Sequence, residues 1–417
     1  MDNLEAKIMK NIILLSCLLS PLAFASQNFS EPVTSSTSMS RHFTNPAGGF
    51  GGSHYSTGVL RLEPIAVGYE MGDVASLMDE LDDLQSALEG SFSSTAEADE
   101  AEEKFDKFLE AAGKEGYAKV IASGSAIFLP TLFENGGLNL EFTAGGVVKL
   151  SVLDDDDGVT ISGSTGLTTD SAVYEQRAYV SSFGLGYRKA VWSNDYGDLI
   201  VGAKLNATQM QLTRKVSTIF NLYDEEDEGV ATSINLGADA GFLWVSDNMI
   251  FGLSATNINE PEYDLAELGS NCSNRASGAA EDNCDASVLF SDYGDISLSG
   301  HYTAEMKTTA EFSLAIASRA LSIFASYDLN STEDVTGDDY QWAQASITYF
   351  SDAFYLPGLR VGLKKNLAGT ELAYVNAGVT LLNYINVDAG TTLESSEISG
   401  ITVPRSAYIN LGLAAAF

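Results

Sequence analysis

Histidine, cysteine and basic residues are scarce in this chain. Its 417 residues hold 3 His, 3 Cys and 22 Lys+Arg against 57 Asp+Glu, for a formal net charge of −35. So acidic a protein does not hold nucleic acid by charge, because phosphate binding draws on Lys and Arg. His42, His54 and His301 offer little for catalysis. His54 adjoins Ser53, yet none of the three sits in a recognisable nucleophile, base and carboxylate pattern, so a structural role is expected for each and no enzyme. There is no Cys-x-x-Cys, which argues against a thioredoxin-type redox site or zinc. No Asp-x-Asp-x-Asp-Gly loop with a distant Glu is present, so neither metal nor cofactor is implied. Past the N-terminal region no run of roughly 18 apolar residues occurs, the length a spanning helix needs. Yet the chain is 45% hydrophobic with a mean hydropathy of +0.02. Some other way of burying apolar surface is required.

At the N-terminus, Lys7 and Lys10 precede the apolar stretch from Ile12 to Phe24, and Ala23-Phe24-Ala25 has the form of a signal-peptidase site. Residues 1–25 therefore read as a signal peptide, with the mature chain starting near Ser26 and Met9 as an alternative start. A lipoprotein reading of Leu15-Ser16-Cys17 is weaker, since apolar sequence continues past the cysteine to a better cleavage site. Export makes Cys272 and Cys284, in a polar loop, read as a structural disulfide. The acidic blocks Asp154 to Asp157 and Asp224 to Glu228 read as solvated loops, with cation bridging to lipopolysaccharide as the functional alternative.

From about residue 118 the pattern is period two, broken by turn signals. Leu199, Val201, Ala203, Leu205 and Ala207 oppose Gly202, Lys204, Asn206 and Thr208; Leu359, Val361 and Leu363 oppose Arg360, Gly362 and Lys364. The last strand alternates Ile409, Leu411, Leu413, Ala415 and ends on Phe417, as the C-terminal signal of an outer-membrane barrel does. One apolar face for lipid and one polar face for a wet lumen is the barrel pattern. Fourteen strands are predicted, near 54–70, 118–129, 137–153, 174–190, 198–215, 230–245, 248–257, 302–318, 321–329, 340–350, 357–367, 371–382, 384–393 and 404–417. With both termini periplasmic, Ser246 to Asn248, Arg319-Ala320 and Leu382-Asn383 become short periplasmic turns, and the acidic blocks and the 258–301 cysteine loop fall outside. Tyr187, Trp192 and Tyr196, and Tyr349, Phe350, Phe354 and Tyr355, suit an interfacial girdle. Lys149, Lys204, Lys307, Arg360 and Lys364 fall in strands and should face the lumen, paired with acids such as Asp239, Asp328 or Asp388.

Two segments depart from this pattern. Residues 72–116 carry Leu77, Leu81, Leu84 and Leu88, then Phe105, Phe108 and Leu109, at helical spacing among acids. This predicts a helical hairpin inserted after the first strand, its apolar stripe packed on the barrel or, alternatively, offered to a partner. Residues 26–53 are polar and Gly-rich and read as a leader or a plug ahead of a barrel over 54–417.

Asn45-Pro46-Ala47-Gly48, just before the first strand, resembles the N-terminal hatch signature of the FadL-like (OMPP1/TodX) outer-membrane barrels. Gly252 to Tyr263 and Val361 to Leu372 are similar to segments of a branch of that superfamily known as conjugal transfer protein TraF of the outer-membrane type. The resemblance implies an all-β, transmembrane, fourteen-stranded barrel with an N-terminal hatch through Asn45, Pro46, Ala47, Gly48 and Gly49. It also implies a non-enzymatic channel for small hydrophobic molecules in the lipid and lipopolysaccharide of a Gram-negative outer membrane. A docking component of a conjugation or envelope assembly, with an envelope protein as partner, is the alternative. In the hatch, Pro46 fixes one dihedral and the glycines leave others free.

Overall fold

A computed structural model describes residues 45–48, 59–72, 95–129, 136–155, 160–162, 166–168, 170–218, 229–246, 248–275, 278–316, 321–349, 355–382, 384–398 and 401–416. Fourteen antiparallel strands close into a barrel. They run Val59–Met71 (β1), Tyr117–Leu129 (β2), Gly136–Leu153 (β3), Ala172–Asn194 (β4), Gly197–Thr218 (β5), Gly229–Val245 (β6) and Met249–Thr256 (β7). Lys307–Ile316 (β8), Leu321–Asp328 (β9), Trp342–Tyr349 (β10), Gly358–Asn366 (β11), Ala373–Leu381 (β12), Ile385–Thr392 (β13) and Ser406–Ala416 (β14) complete the circuit. Each strand pairs with its chain neighbour, and β14 closes on β1 from Val59↔Ala416 to Glu70↔Ser406. Closure leaves no unpaired edge, which is what allows strands to cross a bilayer.

The alternation in the sequence becomes the wall. Leu205, Val361 and Leu363 are among the most exposed large side chains, while Lys204, Arg360 and Lys364 between them are buried inside. An apolar outer band over a polar interior is what lipid on one side and a lumen on the other demand. Short connections collect at the end where β1 begins and β14 finishes, called here the turn end; Ser246, for example, donates its N–H to the Met249 carbonyl at 2.8 Å. Tyr187, Trp192, Tyr196, Tyr349 and Tyr355 are exposed at that end, with Trp192 and Trp244 rings 5.4 Å apart.

At the opposite, loop end the wall is uneven. β4 and β5 run 23 and 22 residues, whereas β9 and β10 have 8 each. A tilted strand needs only about 9–11 residues to cross the hydrocarbon, so β4 and β5 rise past it and carry the cysteine loop. Arg214 on β5 donates to the Ala266, Ser297 and Leu298 carbonyls, and the Thr218 N–H donates to Asn283 Oδ1 at 2.8 Å. Asn283 belongs to helix Gly278–Tyr293, which packs Ala286 and Phe290 onto Ala172 and Val216.

The inserted segment before β2 contains helix Thr95–Glu115 (α1), at the loop end. Its Phe105, Leu109 and Ala112 are buried, and α1 packs on the loop end of β3. The expected first half of the hairpin lies outside the described residues, as do the signal peptide and most of 26–53. β1 carries a bulge between Glu63 and Ala66 against β2 and between Leu62 and Ile65 against β14. Pro64 accounts for it, since a proline cannot donate to a ladder and is tolerated in sheets at bulges.

Candidate functional site

At the turn end of the lumen the segment Asn45 to Gly48 lies against the inner wall. The Gly48 N–H donates to the Asn45 carbonyl at 2.8 Å, and the Ala47 N–H to Asn45 Oδ1 at 3.0 Å. Asn first, Pro second and Gly fourth are the residues a β-turn prefers. Asn45 Nδ2 then reaches the wall, donating to Glu311 Oε1 on β8 at 2.8 Å and to the Phe242 carbonyl on β6 at 3.3 Å. Asn45 is 1% and Ala47 0% exposed, the latter against Ile200 and Leu243.

The wall is cut to receive this turn. A Cβ on Gly202 would collide with the Pro46 carbonyl, one on Gly241 with the Asn45 amide, and one on Gly252 with the Glu311 carboxylate. A glycine inside a strand often marks the close approach of another backbone. Gly202 and Gly241, paired on neighbouring strands, make such a seat, and Gly252 leaves room for the Glu311 carboxylate that Asn45 bonds.

Along the inner wall, charges are paired between nearby strands. Lys204 Nζ lies 2.7 Å from Glu141 and 3.2 Å from Asp239, and Lys307 3.1 Å from Asp328. Arg360 lies 2.6 Å from Asp388 and also donates to Thr380 Oγ1. Lys364 sits 3.7 Å from the centroid of the Trp342 ring, a cation–π contact. The strand position of these cations thus follows from the cost of an unpaired charge away from water.

At the loop end, side chains of the wall and of the described connections pack together. Ile121, Val147, Met210 and Leu212 of the wall pack with Tyr263, Tyr340 and Leu372 from the connections, and with Trp342 and Tyr374. Within this apolar mass Lys119 on β2 donates to Asp334 Oδ2 at 2.5 Å, Asp338 Oδ2 at 2.8 Å and Tyr340 Oη at 3.0 Å. Lys149 on β3 donates to Asp338 Oδ1 at 2.7 Å and to the Thr336 carbonyl at 3.1 Å. Glu70 accepts from the Tyr117 and Tyr374 hydroxyls beside them. Burial would raise the Asp338 carboxyl, but Lys119 and Lys149 outweigh it and hold the group below the usual carboxylate range. Burial, then the charges of Glu70, Asp334 and Asp338, pushes the Tyr340 hydroxyl well up, so it stays a neutral donor and acceptor.

The remaining expected residues have plain positions. Cys272 and Cys284 are bonded to each other, tying a turn of 3-10 helix to the cysteine-loop helix. His301 lies 3.0 Å from Asp264 in an exposed two-stranded ribbon. Gly49, His42, His54 and Phe417 lie outside the described residues. Lys119, Glu141, Asp334 and Asp338 were not expected from the sequence, nor was Arg188, which is buried on β4 and donates to the Leu138 carbonyl at 2.9 Å. Lys119 and Arg188 do sit at inward positions of alternating strands, the same signal that marked Lys204. Asp334 and Asp338 lie in a loop, where spacing carries no facing information.

Among solved structures the chain is similar to a FadL homologue from Pseudomonas aeruginosa, at 8% identity and a TM-score of 0.45 over 95% of this chain and 98% of that one. It is also similar to the Pseudomonas putida toluene transporter TodX, at 9% identity and a TM-score of 0.47 over 95% and 99%. No curated protein matches the chain. The family model described as F plasmid transfer operon, TraF, protein matches residues 42–328, well over half of the sequence from just before the Asn45 turn to the end of β9, and the chain belongs to that family.

Proposed function

We propose that this protein is an outer-membrane channel for small hydrophobic molecules, with the turn end facing the periplasm and Asn45 to Gly48 acting as a hatch. The observation that carries the reading is the seat: a buried turn hydrogen-bonded to Glu311 and fitted over Gly202 and Gly241. A tether needs no socket; a removable stopper does. The packed aromatic and aliphatic cluster at the loop end, with Tyr263, Tyr340, Trp342, Leu372 and Tyr374, would have to part for a ligand and favours an apolar one. Entry is passive: ligand settles among these rings, and a shift of the turn off its seat opens the base.

The test is uptake by cells with an intact lipopolysaccharide outer membrane. Expression of the chain is expected to raise the initial uptake of an uncharged aromatic probe several-fold and saturably. No rise, with surface assembly verified, would overturn the channel and leave the alternative of a docking component in a conjugation or envelope assembly. Family membership favours that alternative. The burial of Phe105, Leu109 and Ala112 on α1 removes the apolar stripe it would have used among the described residues.

A further inference from the structure

β2 and β9 are seven places apart in a circuit of fourteen, as are β3 and β10. The connection from β9 to β10 nevertheless reaches β2 and β3, because its Asp334 and Asp338 hold Lys119 and Lys149. It can do so only by crossing the lumen. The crossing segment is a small hairpin with its own frame. Thr332 and Glu333 pair with Tyr340 and Asp339, and the Asp334 N–H donates to the Asp338 carbonyl at 2.8 Å. Asp334 Oδ1 accepts from the Thr336 and Asp338 N–H groups at 2.8 and 3.1 Å, and Gly337, at φ +80°, supplies the turn.

We propose that residues 332–340 are a latch across the outer mouth, locked by the two lysines, and that its release is a step separate from displacement of the Asn45 hatch. The identity of what passes rests on the channel reading; the latch itself does not. Three features set it apart from ordinary loop packing. All three Lys119 acceptors, Asp334, Asp338 and Tyr340, come from the far side of the barrel, so the contact holds only while the hairpin lies across the lumen. The lock at its tip consists of ions, which water can re-solvate on opening, while Val335 and Tyr340 seat the hairpin against the aromatic cluster. The hairpin is internally bonded, so it moves as one piece.

The test is thiol accessibility in the full mature chain refolded into vesicles. Val335 packs partly buried against the aromatic cluster, and Ser331 in the same connection is exposed. A Val335→Cys chain should react with a membrane-impermeant maleimide at least ~10-fold more slowly than Ser331→Cys. Adding Asp334→Asn and Asp338→Asn should raise the Val335→Cys rate to within about threefold of that control. Folding is checked by the compact mobility of the unheated barrel on a gel; if the double change does not fold, Lys149→Met, which removes one arm of the lock, should give an intermediate rise. Equal rates at 331 and 335 in the parent chain, or an unchanged rate at 335 once the lock is broken, would overturn the latch. Neither outcome depends on whether the barrel passes any ligand.

Discussion

Lys119 is the residue on which the mouth most depends. Its side chain is fully buried, with two carboxylates and a phenol as acceptors. Lys119→Met keeps the length but leaves Asp334 and Asp338 with one cation fewer, and breaking a buried pair in this way costs about 3–5 kcal/mol. A loss of that size is expected in urea unfolding from vesicles. At the base, Asn45→Ala strips three side-chain hydrogen bonds from the turn, one of them donated to Glu311, a cost of about 1–3 kcal/mol. Gly241→Ala should unseat the turn by collision instead, so both variants are expected to speed proteolytic clipping near residue 45 while the barrel stays intact. Asp338 also sets a pH dependence. Its carboxyl is held low in the folded protein, so its share of stability is fully present above the unfolded value of about pH 4 and is lost as pH falls below it. Asp338→Asn should therefore flatten the acid limb of a stability profile and leave the neutral region sloped as before.

The elements were legible to different degrees, for physical reasons. All fourteen strands stand within a few residues of where alternation and turn signals put them, because a membrane barrel forces every strand to display the pattern. That Lys204, Lys307 and Arg360 would meet acids drawn from Asp239, Asp328 and Asp388 was likewise readable, since lone charges cannot persist there, but which acid meets which cation was not, and Lys149 and Lys364 turn instead to Asp338 and Trp342. The latch was not readable: Asp334 and Asp338 look like solvated loop acids, and only the fold brings them to β2 and β3. Nor do the glycine positions of the seat declare themselves, because glycine in a strand signals close approach without naming what approaches. The inserted helix gives an element-scale expectation. Leu109 is 1% exposed on α1, the helix that packs on the loop end of β3. Leu109→Ala, a cavity change of about 2–5 kcal/mol, should raise amide exchange along α1 and leave β2 and β3 protected.

For the whole molecule the two proposed closures lie in series. In the proposed channel the Asn45 turn stops the base and the 332–340 hairpin stops the mouth, so opening either alone leaves the other shut. The most direct measurement is single-channel conductance in planar bilayers of four chains: the mature protein, one lacking residues 26–52, one carrying Asp334→Asn with Asp338→Asn, and one with both changes. Sustained discrete conductance is expected from the combined chain alone, with the parent silent and each single change giving at most brief openings. Sustained current through the parent, or silence from a correctly inserted combined chain, would contradict a lumen closed at these two places.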